Sequence, residues 1–190
     1  MHGDQTSLDG ELAARVLAGD DRAFTLLMRR TKAPLYNFTR RYVDDDDLAY
    51  DLLQQAYVSA WKALARYDTR RPFEAWMRTI VRNKCRDAQR KASVRRLINL
   101  SPVSPQGRQH DAPTPGQDPE QILAVRDDLR RASAALSSLP DGLKTPLILT
   151  AIEGWTMAEA ADYLGLTEKA VETRLYRARK ALNEKLALSR

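Results

Sequence analysis

Residues 155–186 read WTMAEAADYLGLTEKAVETRLYRARKALNEKL, and this stretch decides the class of fold. Thr156, followed three residues later by Glu159, is a capping box. Its hydroxyl and carboxylate each take an amide N–H that the start of a helix leaves without a partner. The short helix that follows is predicted to turn Ala158, Ala161 and Leu164 inward. Gly165 stands where the chain must enter the left-handed region to turn, which costs glycine least. Thr167 caps a second helix, along which Val171, Leu175, Ala178, Leu182 and Leu186 recur as one apolar stripe. The opposite face carries Lys169, Thr173, Tyr176, Arg177 and Lys180, with Glu172, Arg174 and Arg179 at its flanks. Such a pair of helices with a basic outer face has the form of a helix-turn-helix. Side chains near the start of its second helix reach base edges, and later basic ones touch phosphates. Lys169, Glu172, Thr173 and Arg177 are therefore expected base readers, with Arg174, Arg179 and Lys180 as phosphate contacts. The plain alternative is an amphipathic hairpin inside a helical bundle.

Upstream of this motif, residues 101–119 (SPVSPQGRQHDAPTPGQDP) hold five prolines and two glycines with almost nothing apolar to bury. That composition predicts an extended tether, here taken as residues 97–119, between domains at 1–96 and 120–190. Both flanking parts show helical periods and neither shows the alternation of strands, so the fold class is all-α, two small helical domains on a flexible linker. In the N-terminal part helices are expected over about Leu8 to Ala18, Arg22 to Tyr42, Asp46 to Arg66 and Pro72 to Ala92. Pro34 is expected to kink or divide the second of them.

Two helical wheels in that part carry further information. On the third helix Ala49, Leu52, Leu53, Ala56, Ala60 and Leu64 share a core side, and Asp47, Asp51, Gln54 and Val58 share the other. Taken alone, the second side reads as a solvated polar face. On the fourth helix Phe73, Trp76, Met77, Ile80, Val81 and Ala88 form the apolar stripe. Arg78, Arg82, Arg86 and Arg90 follow one another at intervals of four as a basic ridge flanked by Thr79, Asn83 and Gln89. Like charges at this spacing repel, which suits a surface whose repulsion a polyanion relieves. From Arg78 to Arg96 eight basic residues face one acid, Asp87, whereas Asp44 to Asp47 are four acids in a row.

Composition narrows the classes. The 190 residues carry a formal net charge of +6 and are 43% hydrophobic, enough for real cores. No apolar run approaches the length of about 20 residues that spans a bilayer, and the start MHGDQTSLDG lacks the form of a signal peptide. These features predict a cytoplasmic protein with no membrane insertion. Cys85 is the only cysteine, which excludes an internal disulfide and is expected to be a buried or half-buried thiol. No phosphate-binding glycine loop, paired histidines at metal spacing, or nucleophile beside a base is present. No catalytic residue, metal site or cofactor is expected, and the chain reads as a non-enzyme.

The quoted residues resemble the extracytoplasmic-function sigma factors, the small two-domain members of the σ70 family. Residues 47–91 (DLAYDLLQQAYVSAWKALARYDTRRPFEAWMRTIVRNKCRDAQRK) look like the family's σ2 core through Asp51, Gln54, Ala60, Trp61, Phe73, Trp76, Asn83, Asp87 and Arg90. Residues from Leu139 to Leu182 look like σ4 through Leu139 and Pro140, Glu153 and Gly154, Ala158 to Ala161, Leu164 and Gly165, Val171, Arg174, and Arg177 to Arg179. The resemblance implies that Asp47, Asp51, Gln54, Gln55, Val58 and Trp61 contact core RNA polymerase at the β′ clamp helices. It implies that Tyr67, Asp68, Thr69, Arg70, Arg71, Arg78, Arg82, Asn83, Arg86, Arg90 and Lys91 meet the −10 element. Tyr67, Asn83 and the loop backbone would receive an unstacked base, and the ridge would hold the DNA backbone. Thr167, Lys169, Glu172, Thr173, Arg174, Tyr176, Arg177, Arg179 and Lys180 would meet the −35 element. The β flap of the polymerase, promoter DNA and an anti-sigma factor are the other implied partners, and the tether would run toward the RNA exit channel. On this reading the chain recognises promoters and helps to melt them.

Two departures stand out. The family often has Gln-Glu where this chain has Gln54 and Gln55, and Pro146 lies in a helix that the family usually continues with polar helix formers, so a local kink is predicted there. A conventional helix-turn-helix regulator would explain residues 155–186 but leave Trp61, Trp76 and the acidic-to-basic block without a role. An antagonist that mimics a sigma factor would not need both basic helices.

Overall fold

A computed structural model describes residues 2–98 and 119–188, and every described element is helical. The chain divides into two compact units, Met1–Gln106 and Gly107–Arg190. Residues 99–118, most of the expected tether, lie outside the described residues. The two ends of that expected segment, Leu97 with Ile98 and Pro119, belong to helices.

The first unit contains α1 (His2–Leu17), α2 (Asp21–Val43), α3 (Asp46–Ala63) and α4 (Phe73–Ile98), with a 3-10 turn at Leu64–Arg66. Gly19, at φ +98°, ends α1, and Asp20 caps α2 by accepting the Arg22 N–H at 3.1 Å. The α2 helix runs unbroken through Pro34, so the expected division does not occur. Proline removes one N–H from the helix ladder. The inward stripe of Phe24, Leu27, Leu35, Phe38 and Tyr42, all buried around that position, holds the helix together regardless. The four-acid run is a corner: Asp44 ends α2 in the left-handed region, Asp45 caps α3 by accepting the Leu48 N–H at 2.9 Å, and Asp46 and Asp47 lie in its first turn. There the last three acids complement the helix dipole. The α3 core side is buried as the wheel predicts, joined by Tyr57, whose hydroxyl meets Thr31 Oγ1 at 2.9 Å. Phe73, Met77, Val81 and Cys85 of α4 close the core, while Trp76, Ile80 and Ala88 lie at its edge, half-buried.

The second unit contains α5 (Pro119–Ser137), α6 (Asp141–Leu147), α7 (Met157–Leu164) and α8 (Glu168–Leu188). After Pro146 the α6 ladder gives way to a π turn over Ile148–Ile152, with the Glu153 N–H reaching Ile148 O at 3.0 Å. The expected local kink takes the form, in hydrogen bonding, of a widened turn after the missing proline N–H. The capping box forms in full: Glu159 N donates to Thr156 Oγ1 at 3.2 Å and Thr156 N donates to Glu159 Oε2 at 2.8 Å. Gly165, at φ +64°, is the left-handed cap of α7. Ala161 is buried and Leu164 half-buried as the wheel has them, but Ala158 is exposed and Ala160 is buried in its place. Val171, Leu175 and Ala178 of α8 are buried against α6 and α7, with Leu182 and Leu186 half-buried further along. Lys144 is fully buried, and its ammonium donates to the Ser137 carbonyl at the end of α5.

Candidate nucleic-acid and polymerase interfaces

The outer side of α3 leaves Asp47, Asp51, Gln54 and Gln55 exposed. Val58 and Trp61 on the same helix are 56% and 41% exposed, large apolar groups amid acids and amides. Trp61 is held in place by the Phe24 ring, edge to face with centroids 4.9 Å apart.

Between the 3-10 turn and α4 the chain makes a tight loop at residues 67–71. Asp68 organises it: its carboxylate accepts the Arg70 N–H at 3.1 Å and pairs with Arg70 Nε at 2.9 Å, which pulls its pKa down to about 2. Thr69, Arg70 and Arg71 are exposed. Tyr67 is not. It is 8% exposed, meets Phe73 edge to face at 5.4 Å and lies tilted against Trp76 at 5.3 Å, and donates its hydroxyl to Arg71 O at 2.6 Å, while burial pushes its pKa up. Tyr67 is therefore the floor beneath the loop rather than an open wall, while Asn83 is exposed along α4.

The basic ridge on α4 starts later than its spacing suggests. Arg78 is 4% exposed; its guanidinium pairs with Glu74 at 2.6 Å and lies 5.3 Å from the centre of the Phe38 ring. Arg82 is half-buried, and Arg86, Arg90 and Lys91 are exposed. A step of four residues turns about 400° on a helix, so each successive arginine advances about 40°. The row thus starts facing α2 and ends facing solvent.

On α8, Thr167 caps the helix by accepting the Ala170 N–H at 3.2 Å. Lys169 pairs with Glu172 at 2.8 Å, which raises the ammonium pKa, and Thr173 donates back to Lys169 O at 2.9 Å. Tyr176 is 71% exposed, and Arg177, Arg179 and Lys180 are exposed beside it. Arg174 is half-buried and its charge acts on Asp141, so it leans toward its own unit. Among the described residues no cluster of three or more His, Cys, Asp or Glu could hold a metal, and no helix is long and apolar enough to cross a membrane.

Sequence reasoning gave α1 no part in any of these surfaces, yet α1 touches the 67–71 loop. Buried Asp9 accepts the Phe73 N–H on Oδ2 at 3.2 Å and pairs through Oδ1 with Arg30 Nε at 3.5 Å. A Cβ added at Gly10 would meet Thr69 Cβ at 3.2 Å. A backbone amide 64 positions away leaves no mark in residue spacing, so no sequence signal pointed here.

The two units match two regions of one family: residues 27–95 match Sigma-70 region 2, and residues 129–182 match Sigma-70 region 4. RNA polymerase sigma factor CnrH of Cupriavidus metallidurans is 38% identical over 180 residues, covering 92% of both chains. RNA polymerase sigma factor NccH of Alcaligenes xylosoxydans is 32% identical over 184 residues, covering 96% of this chain and 97% of its own. The solved structure of CnrH in complex with the cytosolic domain of CnrY superposes with a TM-score of 0.65 at 33% identity, covering 96% of this chain and 99% of that one. The chain belongs to the extracytoplasmic-function sigma factors of the σ70 family, which bind RNA polymerase and direct it to initiate transcription at promoters.

Proposed function

We propose that the exposed faces divide the work of initiation among themselves. The α3 face of Asp47, Asp51, Gln54, Gln55, Val58 and Trp61 docks on the clamp helices of the polymerase β′ subunit. The 67–71 loop, with Asn83, reads the displaced strand of the −10 element. Arg82, Arg86, Arg90 and Lys91 hold the backbone at its upstream edge. The α8 face sits in the major groove of the −35 element, and its unit docks on the β flap. Arg78 acts differently, as an internal tie between α4 and α2.

The observation that carries this reading is the division of exposed chemistry. Val58 and Trp61 stand open within an acidic and amide face, which suits a protein partner, while the outer faces of α4 and α8 are basic, which suits a polyanion. An anti-sigma factor is a further partner in this reading, as the bound CnrY domain of the relative CnrH suggests. The protein works in the cytoplasm beside the polymerase and does no chemistry of its own.

The test is reconstitution with bacterial core polymerase and a pool of promoter fragments. Co-migration with core and transcription from a defined subset supports the reading. Duplex binding by the protein alone, without association with core, overturns it in favour of a conventional regulator.

A further inference from the structure

Helix α4 begins immediately after the 67–71 loop, and its first turn needs acceptors for its amides. The residue before it, Pro72, has no side-chain acceptor; its carbonyl receives the Ala75 N–H at 3.1 Å, but nothing local takes the Phe73 N–H. The carboxylate that does so comes from another helix: Asp9 Oδ2, at 3.2 Å. A charge-assisted bond at a helix start also suits the positive end of the helix dipole. The carboxylate's other oxygen, Oδ1, lies 3.5 Å from Arg30 Nε of α2, an ion pair without a hydrogen bond.

One residue along α1, the missing side chain of Gly10 lets the helix approach the loop. The added Cβ would stand 3.2 Å from Thr69 Cβ and 3.7 Å from Thr69 O, so any larger residue displaces the loop by a few tenths of an ångström. The loop's far end is fixed separately, by Tyr67 donating to Arg71 O. The loop is thus held at three points, and two of them belong to α1.

We propose that Asp9 and Gly10 are positioning residues for −10 recognition: they set the pose of residues 67–71, and with it the discrimination among −10 sequences, without touching DNA. The inference rests on the reading of that loop as the −10 reader. It assigns α1 a role in specificity in addition to its share of the core.

The test uses full-length protein with core polymerase on promoter panels that vary either the −10 or the −35 element alone. Asp9→Ala removes the cap; Asp9→Asn keeps an acceptor for the Phe73 N–H; Gly10→Ala pushes on Thr69; Asp68→Ala and Arg71→Ala alter the loop itself. Loss of a helix cap predicts that Asp9→Ala narrows discrimination among −10 variants about fivefold, with core affinity and −35 discrimination within about twofold of wild type. Asp9→Asn restores most of the discrimination, and Gly10→Ala changes the order of preference among −10 variants. Unchanged −10 discrimination in Asp9→Ala and Gly10→Ala, while Asp68→Ala or Arg71→Ala changes it, overturns the positioning role and leaves the loop as reader. No change with any of the four sinks the loop reading and the inference together. Parallel loss of core binding, −35 discrimination and −10 discrimination in both Asp9 variants marks Asp9 as a fold residue only, and that too overturns the proposal.

Discussion

At Arg78 the guanidinium lies between the Glu74 carboxylate and the Phe38 ring, almost wholly out of solvent. A buried cation with a partner and an aromatic face contributes to stability mainly by not being removable: truncation leaves a hole and a carboxylate without its partner. Arg78→Ala should therefore destabilise the first unit by about 1–3 kcal/mol in denaturant titration, lowering every activity in proportion. Arg86→Ala, on the exposed part of the same helix, should leave the titration unchanged and reduce open-complex formation; the reverse pattern would put the DNA contact at Arg78. Asp9 makes the converse point about charge. Burial lifts its carboxyl above the ordinary 3.8, outweighing the Phe73 N–H and Arg30, which pull it down. A carboxyl with a raised folded pKa contributes stability that is fully present below its unfolded value and is lost as pH rises through the folded one. Asp9→Asn, neutral at every pH, is expected to melt at or above the wild-type temperature near pH 7 and to lose that advantage toward pH 4. A clear deficit confined to neutral pH would contradict this. Neither residue's situation was legible in the sequence. Arg78 looked like its neighbours at intervals of four because the slow drift of that row around the helix decides burial only once α2 is in place. Asp9 acts on a backbone amide, which every residue has.

Elements were read more easily than residues because their signals are local. The capping box, the glycine turn and the stripe on α8 all lie within residues 155–186, and each interaction closes over a few positions. Both faces of α3 were legible for the same reason: a helical wheel is complete within a single helix. Where an element's fate depended on a neighbour, the reading slipped. Pro34 was expected to kink or divide α2; the division does not occur, because the packed stripe on either side outweighs one lost hydrogen bond. Ala158 was expected inside α7 with Ala161, but where α7 packs on α8 it is Ala160 that is buried beside Ala161. The local character of the α7 cap makes it easy to test. Thr156→Ala removes the acceptor for the Glu159 N–H and half of the reciprocal pair, and should cost the second unit about 1 kcal/mol. Its unfolding should shift by that amount while the first unit's does not, and a matching shift in the first unit would count against separate cores.

The molecule as a whole presents basic surface on both units, and its electrostatic contribution to promoter affinity should be additive across them. Each phosphate contact removed lowers the slope of log affinity against log salt by about 0.9. Arg179→Ala with Lys180→Ala should thus flatten the slope of holoenzyme–promoter binding by about 2 while sparing sequence preference. Arg177→Ala should instead relax preference at one position of the −35 element at a cost of about 1–3 kcal/mol. A uniform loss across sequences would make it a phosphate contact. The two-unit plan was legible from composition, because a proline-rich stretch with almost nothing apolar separates two helical patterns. The reach of α1 to the 67–71 loop was not, because it depends on how four helices close around one core.

Cys85 has a practical consequence on that same scale. It is the chain's only thiol, and it is fully buried in the core of the first unit. A thiol reagent can reach it only when that core opens, so the rate of labelling is a clock for opening. Where reclosing outpaces reaction, the rate reports the opening equilibrium. The second unit, having no cysteine, stays silent. The wild-type protein thus carries its own reporter: labelling that slows when core polymerase is added would measure, with no engineered probe, how firmly polymerase binding holds the first unit closed.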